Sequence, residues 1–244
     1  MGKKHNRLNR LNLCLLLLLI ISLMAASGYV FYKKESQTIS LINGKLKPFD
    51  PGYIYKFYIL SRPDTSNREY YGSPKASITI ISYLKFESQE SSHFIGDIFP
   101  KIYDEFIKTG KAKFYGKNFL TMPYFVQKGN GFLYASYLNC VKLIKQDAYY
   151  LFYFDMFKLN GTGEISRLAG KYGIPRQNMD RCLQENRFDD VMEDMLEIEN
   201  FGIVGVSPRF YIGVNGADNT ILEGASNYQK FNRTLRQYEF LIGN

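Results

Sequence analysis

The chain has no tryptophan, and only three cysteines and two histidines among its 244 residues. Just one histidine, His93, lies beyond the basic N-terminal tail. One imidazole and two distant cysteines offer no metal-ligand spacing, and no cofactor motif accompanies them, so no metal or cofactor is expected. Clustered cations are missing too. The formal charge is +8 with a pI of about 9.2, but Lys3, Lys4, Arg7 and Arg10 supply half of it. The remaining body is only mildly basic and carries no cationic stripe, which argues against nucleic acid as a partner. There is no internal repeat. At 45% hydrophobic and 22% charged residues, the composition excludes wholesale disorder and is sufficient for one good core. The 20 tyrosines and 19 phenylalanines sit among many Lys, Asn and Ile and are read as compositional bias, not as a binding platform.

Leu13 to Tyr32 is a run of roughly 20 uncharged residues, about what a helix needs to cross a hydrocarbon core. Two fates fit it: an uncleaved transmembrane anchor, or a signal helix cut near Ala25, Ala26 and Ser27. The run continues past those small residues through Tyr29, Val30 and Phe31, which favours the anchor. The basic flank at Lys3 to Arg10 outweighs Lys33 and Lys34, so the positive-inside rule keeps the N-terminus in the cytoplasm and sends the body across. The expected product is a single-pass membrane protein with an extracytoplasmic body, or a secreted or periplasmic one if the leader is removed. Cys14 stands at the head of the apolar run instead of after it and lacks the small residues a lipidation site needs before it.

Residues 1–34 therefore form the basic start and membrane-targeting helix. Residues 35–70 read as a linker: Glu35 to Gly52 is a polar tether containing Asn43-Gly44, Pro48 and Pro51, and Tyr53 to Leu60 is a possible edge strand. Ile78 to Leu84 has the length and apolarity of a buried strand. From Phe94 the period changes to that of a helix, with Phe94, Ile95, Ile98, Phe99, Ile102, Tyr103, Phe106 and Ile107 on one stripe and Gly110 as its stop. Pro100 lies inside this stripe and is expected to kink the helix without ending it. Ala112 to Phe119 is the next strand, completing a βαβ unit with parallel strands. Residues 130–200 are helical by period. Arg209 to Gly213 and Thr220 to Glu223 form a hairpin, and Tyr228 to Leu241 is a closing helix. The last strands need the first sheet to pair with, so the helical block is an insertion within an α/β domain spanning 71–244.

That order, carried by GSPKASITIISYLKF, IFPKIYDEFIKTGKAKF, ISRLAGKYGIPRQNMDRCL and VGVSPRFYIGVNG, resembles the DsbA-like thioredoxin-fold family of thiol:disulfide interchange proteins over roughly Tyr71 to Ile242. The resemblance implies a thioredoxin-like fold with an inserted helical domain, and it places the family's cis-proline at Pro208. It also exposes a departure. The positions of the catalytic Cys-x-x-Cys read Ser88-Gln89-Glu90-Ser91, and a serine hydroxyl does not form a mixed disulfide. The resemblance therefore does not carry enzyme activity onto these residues, and no catalytic residue is assigned.

Ser88, Ser91 and Ser92 stand at a helix start, where capping accounts for hydroxyls. A hydrolytic pair of Ser91 with His93 would need both within hydrogen-bond reach, whereas Glu90 and Asp97 are ordinary helix-surface partners for that histidine. Cys140 and Cys182 form an even pair for an oxidising compartment. A structural disulfide and two separate buried thiols both fit, and the bridge is the simpler of the two. A bridge here would close a loop of about 42 residues, and the resemblance places it as the family's second, non-catalytic disulfide. The resemblance makes Val206, Ser207 and Pro208 the expected peptide-binding loop, offering backbone to an extended chain; the alternative is a turn retained for folding alone. Two functions follow. The first is a redox-inactive tethered domain that binds exported polypeptide or a membrane protein, as a chaperone or assembly factor. The second is residual thiol:disulfide exchange through Cys140 and Cys182, or another enzyme on the same fold.

Overall fold

The computed structural model describes residues 63–121, 129–185, 188–201, 207–214, 220–224 and 227–243, together with a short hairpin at 40–42 and 45–47. That hairpin pairs β1 (Ser40–Ile42) with β2 (Lys45–Lys47), Ile42 opposite Lys45. Strand pairing thus occupies part of the segment expected to be a plain tether. The Leu13 to Tyr32 run and the possible strand Tyr53 to Leu60 lie outside the described residues. Among the described residues, no helix is long and apolar enough to cross a membrane.

The main sheet has five strands in the order β3-β5-β4-β6-β7. β3 is Tyr71–Gly72, β4 Ile78–Leu84, β5 Ala112–Asn118, β6 Arg209–Val214 and β7 Thr220–Glu223. β4 lies parallel to β5, with Ile80 beside Phe114, and antiparallel to β6, with Ile80 beside Ile212. The helix between β4 and β5 makes the crossover that a parallel pair requires.

That crossover is one helical run in four pieces: α1 (Gln89–His93), a π turn at Phe94–Ile98, α2 (Phe99–Ile102) and a second π turn at Tyr103–Ile107. Pro100 sits in the first turn of α2 and has no N–H to donate, and its ring would press on the carbonyl of Gly96 in a regular helix. The chain responds by widening just before it, where the Phe99 amide donates to the Phe94 carbonyl. The expected kink is therefore a π turn, and the helix continues beyond it.

The insertion follows β5. It consists of α3 (Asn130–Ile144), α4 (Tyr149–Met156), α5 (Ile165–Lys171), α6 (Arg176–Gln184) and α7 (Asp189–Asn200), after which the chain returns to β6 and β7 and ends in α8 (Tyr228–Gly243). One core joins Ile78, Ile80 and Leu84 of β4 to Phe94, Ile102 and Phe106 of the crossover and to Phe231 and Leu235 of α8. A second, on Ile81, Tyr83, Tyr115 and Tyr211, is covered by Ile198 of α7. Where α4 meets the sheet, Gly116 leaves room for Tyr153: a Cβ there would lie 2.6 Å from the ring. The helical block docks closely because β5 carries no side chain at that point.

Candidate functional site

The site lies where β4 runs out and α1 begins. Ser88 has extended backbone and caps α1: its hydroxyl accepts from the Ser91 amide at 3.3 Å and donates to Glu90 Oε2 at 2.7 Å. The Ser88 hydroxyl holds the exposed Glu90 carboxyl below its usual pKa. Ser91 points the other way and is fully buried. Its Oγ accepts from the Lys85 amide at 3.2 Å and stands 3.4 Å from Ser207 Oγ. Ser207 Oγ accepts from the same Lys85 amide at 3.1 Å and donates to the Tyr83 carbonyl. Ser92 ties α1 to the insertion through the Phe157 carbonyl at 3.3 Å.

Ser207 precedes Pro208 through a cis peptide bond, which is the geometry expected of this loop. Pro208 is buried, and its carbonyl accepts from the Gly224 amide at 2.8 Å. Ser91 and Ser207, far apart in the chain, are thus in contact, whereas Val206 lies outside the described residues. Gln89 and Glu90 are exposed. Arg209 is engaged away from this contact: its guanidinium pairs with Glu223 at 3.0 Å and lies over the Tyr211 ring.

This arrangement defines what chemistry is available. Serine oxygen replaces sulfur at both ends of the former motif, so neither hydroxyl enters disulfide exchange. Among the described residues, no imidazole reaches the Ser91 hydroxyl. His93 is half exposed on the helix surface and bonded to Asp97 at 2.6 Å, while Ser91 is turned inward among backbone amides and Ser207. Cys140 of α3 and Cys182 of α6 are bridged, with Cα atoms 5.8 Å apart. Both cysteines are buried inside the insertion, and of the two alternatives the disulfide is the one present.

Sequence reasoning missed a buried ionic layer behind the site. Tyr83 of β4 and Lys117 of β5 both donate to Glu197 of α7, the lysine at 2.5 Å. Arg68 reaches Asp194 at 2.8 Å and Glu193 at 3.2 Å, and Asp194 also accepts from the Asn118 amide and side chain, each at 2.8 Å. Lys117, Asp194 and Glu197 are at most 1% exposed. Burial raises the pKa of Asp194, and Arg68 and Lys117 oppose that shift. Burial, followed by the nearby Glu197, lifts Tyr83 well above the phenol range. Burial alone would lower Arg68, but Asp194, Asp190, Glu193 and Glu197 outweigh it and leave its pKa raised. The signal that could have revealed this layer is Asp194 itself, a charge on the same helical stripe as Val191, Met195 and Ile198.

Comparison with known proteins matches this architecture. The family model described as thioredoxin covers residues 64–236. No curated protein matches the chain. Among solved structures, BdbD from Bacillus subtilis in its oxidised form superposes with a TM-score of 0.63 at 19% identity, over 72% of this chain and 95% of that one. Wolbachia pipientis α-DsbA1 gives 0.60 at 24% identity, over 72% and 92%. Chlamydia trachomatis DsbA gives 0.58 at 18% identity, over 73% and 94%. With the helical insertion, the cis-proline and the family match in agreement, the chain belongs to the thioredoxin family and has the DsbA-like form of its fold.

Proposed function

We propose that this protein is a membrane-tethered, extracytoplasmic member of the DsbA-like group that no longer exchanges disulfides and instead binds extended polypeptide beside Ser207-Pro208, as a chaperone or assembly factor. The observation that carries this reading is the pairing of Ser91 with Ser207. Hydroxyls join the helix start to the residue before the cis-proline, which supports a retained binding surface there. An extended chain lying along the Ser207 backbone would gain main-chain hydrogen bonds of the kind a sheet edge offers an added strand. The tether is the uncharged Leu13 to Tyr32 segment, and the similarity to DsbA structures supports the extracytoplasmic side.

The test places a photo-crosslinker at exposed Gln89 of the full chain and offers a reduced, carboxymethylated model polypeptide. Capture that falls at least about fivefold in Pro208→Ala supports the groove; capture indifferent to Pro208→Ala refutes it. In parallel, insulin reduction by the unaltered chain should stay at background. Activity above background that disappears in Cys182→Ser would refute redox silence and assign exchange to the Cys140–Cys182 bridge.

A further inference from the structure

Before it reaches β3, the chain runs along the insertion as a short strap, Asp64 to Tyr70, which takes no part in a helix or strand. Its shape is set locally. Asp64 Oδ1 accepts from the Ser66 amide at 2.9 Å, the Arg68 amide donates to the Thr65 carbonyl at 3.3 Å, and Asn67 takes a positive φ of 59°, which asparagine tolerates. This turn delivers the Arg68 side chain, only 9% exposed, onto α7.

Three helices of the insertion hold the strap through polar groups. From α7, Asp194 and Glu193 pair with the Arg68 guanidinium at 2.8 and 3.2 Å, and the Asp190 carbonyl accepts from it at 3.0 Å. From α3, Lys142 donates to the Asn67 carbonyl at 3.0 Å and pairs with Asp190 at 2.7 Å. From α4, the Tyr150 hydroxyl donates to the Glu69 carbonyl at 2.7 Å. The decisive contact is at the first residue of the strap. The Asp64 amide donates to Glu197 Oε1 at 2.9 Å, while the Tyr83 hydroxyl and the Lys117 ammonium donate to Oε2 of the same carboxylate. Tyr83 in turn offers its carbonyl to Ser207 Oγ. One buried carboxylate and one tyrosine therefore separate the strap from the residue before the cis-proline.

We infer that the Asp64 to Tyr70 strap positions the candidate site, with Arg68 and Glu197 as its positioning residues. Arg68 fixes the strap on α7, α7 presents Glu197 to both Asp64 and Tyr83, and Tyr83 sets the strand end against which Ser207 rests. A buried carboxylate bonded through both oxygens does not follow one partner without straining its bonds to the others. This inference rests on the binding site and the tether proposed above, and it gives that site a control. The strap is the covalent link between the tether and the sheet, so a pull on the tether meets Glu197 and Arg68 before it meets β3.

Native-state amide resonances test this, because they report where a group sits and not how stable the fold is. The Lys85 amide donates to both Ser91 Oγ and Ser207 Oγ, so it reports on the site itself. In the full chain, Arg68→Gln should displace the Lys85 and Ser207 amides at least about threefold further than those of Ile80 and Ile212, which lie on β4 and β6 but face the main core. Lys142→Met removes the strap's bond at Asn67 and leaves Arg68 on Asp194 and Asp64 on Glu197. It should give the same pattern, and it decides the matter if Arg68→Gln does not fold. Displacements confined to the strap and α7, or equal at all four amides, would overturn the inference. Polypeptide capture at Gln89 reads the other proposal separately. Displaced site amides in a chain whose unaltered form captures nothing refute peptide binding alone, and undisplaced ones in a chain that captures refute the strap's role alone.

Discussion

Lys117→Met replaces an ammonium group that is 1% exposed and faces Glu197 at 2.5 Å and Asp194 at 3.8 Å. Removing one partner of a buried charge group generally costs about 3–5 kcal/mol, because the charge left behind is desolvated and unpaired. Here the lower end applies. Glu197 keeps the Tyr83 hydroxyl and the Asp64 amide, and Asp194 keeps Arg68 and Asn118. The expected loss is therefore about 3 kcal/mol near pH 7, read as a fall in the urea midpoint at unchanged slope. The pH dependence identifies the mechanism. Burial already raises the pKa of Asp194, and Lys117 is one of the groups holding it down. Without Lys117 it rises further. A carboxylate whose folded pKa exceeds its unfolded value destabilises the fold above the folded pKa, and this penalty disappears as pH falls to the unfolded value. The gap between variant and parent should accordingly narrow as pH falls towards about 4. A loss below about 1 kcal/mol at pH 7, or a gap that stays constant on acidification, would refute the view that an uncompensated buried charge is the cause.

Two further predictions concern the insertion. Cys182→Ser opens the bridge between α3 and α6, and for its separation of 42 residues the chain-entropy relation gives a loss of about 4 kcal/mol. Thermal unfolding with and without reductant checks it: the parent should fall to the level of the variant on reduction, while the variant should not respond. Asp155 is held at a pKa of about 2; burial alone would raise it, and Lys158, Lys171 and Tyr172 outweigh that. Because the folded pKa is depressed, its stabilisation is complete above the unfolded carboxylate range and is lost as pH falls from about 4 towards about 2. Asp155→Asn should cost on the order of 1–2 kcal/mol at neutral pH and flatten acid unfolding across that window. An unchanged acid limb would exclude the assignment.

The elements that were legible in the sequence are those whose period is set by one environment. β4 was readable as Ile78 to Leu84 because both faces of that strand are buried, and the crossover stripe was readable because Phe94, Ile98, Ile102 and Phe106 all meet the same sheet. The placement of Ser88, Ser91 and Pro208 came from resemblance rather than from period, since a cis-proline turn has no apolar pattern. What remained hidden depends on partners far away in the chain. Lys117 looks like an ordinary strand lysine until Glu197, 80 positions on, is folded against it, and Arg68 falls in a stretch that reads as loop. The π turns were hidden for a different reason. A proline signals that a helix must adjust, but how it adjusts depends on the packing that keeps the flanking residues helical.

Tyr83 joins the candidate site to the ionic layer: its carbonyl accepts from Ser207, and its hydroxyl donates to Glu197. A residue shared in this way makes genetic screens hard to interpret. Loss-of-function alleles would appear at positions outside the candidate site, because a lesion in the ionic layer can shift the strand end against which Ser207 rests. Suppressors of such alleles belong around Glu197 rather than at the mouth, and their location would separate a damaged foundation from a lost contact.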